Sequence, residues 1–197
     1  VAIVPASATA RADRTGDAIQ ALLERKDYAG VVTACEAAAS AGVPEARLRV
    51  NWIYALALTG RVEEALRRLD DAPAQPRDYA LVNLRGVVLK QAGRFDEAIE
   101  CFEQASRIKP SILSAWQNLG NTYGLQGRHA QAARAFKRAI RIAPTETEVL
   151  RMLGAAHINL GEFDDAVKVL RRLVSLKPAI RAGWSMLATA LHRSGKA

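Results

Sequence analysis

The side chains able to do chemistry are few and far apart. His129, His157 and His192 stand 28 and 35 residues from one another, and Cys35 and Cys101 are separated by 66. Metal sites recruit ligands a few residues apart, and a nucleophile needs a base within hydrogen-bond reach, so these spacings suggest neither. No phosphate-cradling glycine loop and no Gly-x-Ser-x-Gly turn occurs, and the three glycines of "NLGNTYGLQG" serve a helix and its stop. His157 reads as a packed core residue, and the cysteines as small, reduced core residues. The recurring chemistry is that of the asparagine amide, at Asn51, Asn83, Asn118 and Asn121. An amide both donates and accepts, so a row of them suits a peptide backbone without demanding a particular side-chain sequence.

The elements that must position these residues are clearest in the stretch from Leu113 to Glu146. At about 100° per residue, Trp116, Leu119, Gly120 and Tyr123 cluster on one side of a helix expected from Ser114 to Gln126. Gly120 lets a neighbouring helix approach its backbone, and Ala132 and Ala139 do the same for a second helix. Gly127 can take the left-handed conformation that ends the first helix, and Pro144 has no amide to continue the second. Thr145 and Glu148 have the spacing of a capping box for the helix that follows. Gly86, Gly93, Ala98, Phe102, Ala105 and Pro110 each stand 34 residues before a counterpart in this stretch, and Gly60, Gly93, Gly127, Gly161 and Gly195 recur at steps of 33, 34, 34 and 34. Half the residues are apolar but only 6% are aromatic, which suits helices packed at close range.

The stretch carrying Trp116, Leu119, Gly120, Tyr123, Ala132, Phe136, Ala139 and Pro144 resembles the tetratricopeptide repeat, a 34-residue helix-turn-helix unit. The resemblance implies an all-α protein, a right-handed α-solenoid of antiparallel helix pairs. Its repeats would span about 12–45, 46–78, 79–112, 113–146 and 147–180, with the first helix of a sixth at 181–197. Residues 1–11 fit no repeat and are expected to be a linker or the remnant of a processed leader. The second repeat departs from the pattern, with Arg49 in the place of Trp116 and Ile53 in that of the close-contact glycine, so looser packing is expected there. Pro73 and Pro76 should stop its second helix early. Trp184, Leu187 and Leu191 would be left uncovered at the end, an expectation that the natural protein continues past Ala197.

In proteins of this family the first helices line a concave face that grips an extended peptide or partner helix. Carried over place by place, that lining takes Asn51 and Tyr54, then Asn83, Val87, Lys90 and Gln91, then Ser114, Gln117, Asn118 and Asn121, then Glu148, Arg151 and Asn159, and last Ser185, Thr189, His192 and Arg193. The family's chaperone-tail clamp, which needs lysine, asparagine and arginine on three successive first helices, finds only Asn51 in place. The formal charge of +8 and pI near 9.9 raise the question of nucleic acid or an anionic membrane. Much of the excess, however, rides on second helices as Arg134, Lys137, Arg138 and Arg141, with Lys168, Arg171 and Arg172, where it reads as a solvated outer wall. The expected function is therefore a protein-protein interaction module for a neutral to acidic peptide, with no cofactor, no metal and no nucleic-acid partner. The alternative is a substrate-selecting region of a larger bacterial transferase, this chain itself not being the enzyme, and the third reading is a self-assembling scaffold. No run of 18 apolar residues exists to span a membrane, and the cytoplasm is the expected compartment, with the periplasm as the alternative.

Overall fold

The computed structural model describes residues 6–71 and 78–195, with the backbone alone over 6–14. Among them are eleven α-helices and no strand. They are α1 (Ala6–Glu24), α2 (Tyr28–Ser40), α3 (Glu45–Leu58), α4 (Val62–Asp70), α5 (Tyr79–Gln91), α6 (Phe95–Ile108), α7 (Leu113–Leu125), α8 (His129–Ile142), α9 (Thr147–Asn159), α10 (Phe163–Leu176) and α11 (Arg181–Arg193). Odd-numbered helices are the first members of pairs and even-numbered ones the second. α1 begins at Ala6, inside the stretch expected to precede the array.

The chain divides into two compact units, residues 1–98 and 99–197, with the boundary inside α6. In the first unit α2 packs on α1 and α3, α3 on α4 and α5, and α4 on α5. In the second, α8 packs on α7 and α9, α10 packs on α9 and α11, and the first helices α7, α9 and α11 touch in succession. Each unit has α-solenoid architecture, since within it neighbouring helix pairs bury their apolar sides on one another.

The helix stops repeat because one residue type solves the same local problem each time. Gly60, Gly93, Gly127, Gly161 and Gly195 have φ between +70° and +81°, a region that costs a residue with a Cβ about 1–2 kcal/mol. The next amide then turns back onto the helix: Arg61 N–H donates to the Leu56 carbonyl, Arg94 to Leu89, Arg128 to Tyr123 and Glu162 to His157, each at 2.9 Å. These bonds satisfy carbonyls that the helix end would otherwise orphan. The start of α9 differs from expectation. Its cap is Glu146, whose carboxylate accepts from the Glu148 amide at 3.4 Å, while Thr145 lies one residue too early to close the box.

Within a pair, a small residue on the first helix meets bulk on the second. A Cβ on Gly120 would stand 2.6 Å from Phe136 Cε1, and one on Gly154 2.5 Å from Leu170 Cδ2. In the second repeat Ile53 takes the glycine's place and is wholly buried. Its partner helix α4 has nine residues, against fourteen in α6, α8 and α10. Pro73 and Pro76, expected to shorten it, lie outside the described residues. A polar clasp ties α4 down. Arg61 pairs with Glu36 at 3.0 Å and Glu64 at 2.6 Å, and Arg68 pairs with Glu45 at 2.6 Å while its guanidinium lies 3.5 Å over the Trp52 ring. Neither Cys35 nor Cys101 is in a disulfide, and the first is buried and the second half-buried.

Candidate functional site

One concavity in the first unit lies between two first helices. α1 and α3 leave a cavity of about 550 Å³ lined by Gly16, Asp17, Ile19, Val43, Arg47, Leu48 and Asn51. Ile19, Val43 and Leu48 are buried and make an apolar floor. Asp17 and Arg47 are exposed and Asn51 is half-buried, so they form a polar rim. Arg47 and Asn51 stand one helical turn apart and therefore share a face of α3. Asn51 was singled out by its register. Arg47 and Asp17 were not, because the α1 pattern is weakly marked and gives no register from which to place a partner for α3.

On α5, Asn83 and Lys90 are half-buried and two turns apart on one side. Lys90 makes no ion pair among the described residues, and burial pulls its amine below the ordinary lysine value. Two residues expected on the lining are placed otherwise. Val87 is buried, since an aliphatic side chain between two polar ones is drawn into the packing of α5. Tyr54 turns toward α2, where its ring meets Tyr28 edge-on with centroids 6.0 Å apart.

In the second unit, Gln117, Asn118 and Asn121 lie half-buried within two turns of α7. The Asn121 Oδ1 atom is buried and accepts no hydrogen bond among the described residues. An unsatisfied buried acceptor costs about 1–3 kcal/mol, and since this oxygen is sealed from the surface, only the rest of the Asn121 side chain is left for a ligand to meet. Arg151 is half-buried and already engaged, donating to both Glu148 carboxylate oxygens at 3.0 and 2.6 Å. Those bonds hold the Glu148 carboxyl below its usual range. Asn159 and Arg193 are exposed at the last residues of α9 and α11. Asn51, Asn83 and Lys90 thus belong to one unit, and Gln117, Asn118, Asn121, Arg151, Asn159 and Arg193 to the other.

Several groups that could serve as acid, base or metal ligand in the second unit are engaged with one another. His157 is 1% exposed, as expected of a core residue, and its Nδ1 lies 2.5 Å from Glu162 Oε2. Asp165 completes a group whose ligand atoms all fall within 4.8 Å of one another, but the Lys168 ammonium already sits on Asp165 at 2.9 Å. Tyr123 donates to Glu103 at 2.9 Å, and burial, then that bond, raises its phenol pKa. Two indoles do structural work that their spacing did not disclose. Trp116 and Trp184 each reach back six residues, donating to the carbonyls of Pro110 at 2.9 Å and Pro178 at 2.8 Å.

Close-packed helix pairs with identical stops define a helical-repeat protein, with polar side chains presented on its first helices. Family models described as tetratricopeptide repeat match residues 46–71, 78–145 and 125–191, and the chain belongs to the tetratricopeptide-repeat family. Among curated proteins none matches the sequence. Solved structures show the same fold at low identity. TTC0263, a thermophilic tetratricopeptide-repeat protein of Thermus thermophilus, is 18% identical over 92% of this chain and 99% of its own, with a TM-score of 0.73. MamA from Desulfovibrio magneticus RS-1 is 20% identical over 77% and 86%, with a TM-score of 0.69. The first such domain of Spaghetti (RPAP3), bound to the HSP90 peptide SRMEEVD, is 20% identical over 62% and 97%, with a TM-score of 0.57. Among the described residues no helix is long and apolar enough to cross a membrane.

Proposed function

We propose that the chain is a protein-interaction module whose first-helix faces hold an extended, neutral to acidic segment of a partner protein. The observation that carries this reading is the cavity between α1 and α3, with its apolar floor and a rim bearing Arg47 and Asn51. An apolar floor takes a side chain of the ligand, while the amide and guanidinium meet backbone carbonyls or a carboxylate. Arg47 shares the cavity rim with the Asp17 carboxylate, so the cation that favours an anionic over a cationic ligand is Lys90 on α5, which makes no ion pair among the described residues. The RPAP3 domain, whose bound peptide contains three acidic residues, is a structural precedent for such a ligand on this fold.

The test begins with an array of short acidic, neutral and basic peptides probed with the full chain. The strongest binder is then measured by fluorescence anisotropy against Asn51→Ala, Asn118→Ala and Asn121→Ala. Acidic and neutral peptides should dominate the array, and truncation at the contacted asparagines should weaken binding by about 1–3 kcal/mol. Unchanged affinity in all three variants would move the site off the first helices.

A further inference from the structure

We infer that the exposed face of α8, continued onto α10, docks on an anionic phospholipid surface. α8 reads "HAQAARAFKRAIRI", with four cations and no carboxylate. Arg134, Lys137, Arg138 and Arg141 follow one another at i, i+3, i+4 and i+7, so they make a single stripe about 10 Å long at 1.5 Å of rise per residue. All four are exposed, and none makes an ion pair among the described residues. Like charges at these spacings repel one another, so the stripe is unfavourable for α8 alone. Other second helices interleave their charges: Arg61 and Arg68 both meet Glu64 on α4, and Arg94 meets Glu97 on α6. α8 departs from a plan that its neighbours keep.

The stripe does not stop at α8. Ile140 of α8 and Val169 of α10 each pack against both apolar clusters of the second unit, and both helices pack on α9, so they share one core. Lys137 is near enough to join Lys168 in holding the Asp165 carboxyl below its usual range. Arg171 and Arg172 extend the cationic surface, both exposed and without an ion pair among the described residues. One turn beyond Arg172, Leu176 is 43% exposed, and the exposed Lys177 follows it.

The chemistry of this face selects among anions. Recognition of single-stranded nucleic acid relies on exposed aromatic rings that stack bases, and no exposed aromatic lies on α8 or α10. A membrane interface uses cations for the anionic headgroups and an apolar side chain that dips between them. The arginines with Leu176 supply that combination, and a duplex would make no use of the leucine.

Co-sedimentation of the full chain with vesicles of equal parts phosphatidylserine and phosphatidylcholine, against phosphatidylcholine alone, tests the inference. Binding is expected only to the anionic vesicles and should fall as salt rises. The Arg134→Gln/Arg138→Gln variant should bind about 25-fold more weakly, roughly fivefold for each cation removed. Arg25→Gln/Lys26→Asn, which removes the same charge from the turn after α1, should bind nearly as the parent does. Equal losses in the two variants would reduce the effect to net charge and overturn the inference. So would absence of vesicle binding, or binding to duplex DNA without binding to vesicles.

Discussion

Gly120 and Gly124 show what a single residue decides in this fold. Both lie on α7, yet a Cβ at Gly120 meets the Phe136 ring at 2.6 Å whereas one at Gly124 meets nothing within 4 Å. Gly120→Ala should therefore destabilise the protein by about 1–3 kcal/mol through overpacking. Gly124→Ala should stabilise it by about 0.5–1 kcal/mol, because alanine gives up less backbone freedom in a helix. Urea unfolding midpoints measure both, and the signs should be opposite. The close approach at Gly120 was legible because a glycine set among bulky residues on one helical face marks a place where a neighbouring element must come near the backbone. The His157 to Glu162 contact was not, since it joins residues on either side of the turn after α9 and no helical periodicity relates them. Cys35 gives a residue-scale pH dependence. Burial pushes its thiol up to about 11, above the value of about 8.5 for an exposed thiol. An unfolded chain then releases this proton at lower pH than the folded one, so stability is full below about 8.5 and falls as the pH rises toward 11. Thermal melts of the parent and Cys35→Ala across that range should converge if Cys35 carries the loss.

At the scale of the element, helix ends divide into those the sequence announces and those it does not. The stops after α3, α5, α7, α9 and α11 were legible because positive φ is a demand that glycine meets alone at little cost. The start of α9 was misplaced by one residue because Thr145 and Glu146 can both cap, and only the path of the turn chooses between them. The clasp on α4 was equally hidden, because ion pairs between helices depend on which turns face each other. Arg68, with its side chain 23% exposed, joins Glu45 to Glu64 and covers Trp52, whereas Arg61 is 46% exposed. Arg68→Ala should cost about 1–2 kcal/mol of stability, combining a partly desolvated cation–π contact with a packed stem. Arg61→Ala should cost less than Arg68→Ala, and its effect should shrink further as salt is added. Chemical denaturation at low and high ionic strength separates the two.

For the molecule as a whole, the repeat was the most legible feature, since an apolar face that one helix pair cannot bury alone leaves its mark at every recurrence of the period. Polar lining was less legible, because a half-buried asparagine and a solvated one look alike in register. Asn51 stands on the rim of a cavity and Asn121 holds a buried acceptor, whereas Asn159 sits exposed at the end of its helix. Between them these positions divide the functional proposal from the structural family, for the family is defined by the packed sides of the helices and the ligand would be chosen by the open ones. The most direct measurement is cross-link mapping. A benzophenone group is carried on the peptide that binds most strongly in the array, and mass spectrometry of the irradiated complex locates its attachment to the full chain. Attachment to α3, α5 or α7, near Asn51, Lys90 or Asn121, is the expected result. Attachment confined to the second helices α8 and α10 would contradict binding on the first-helix faces.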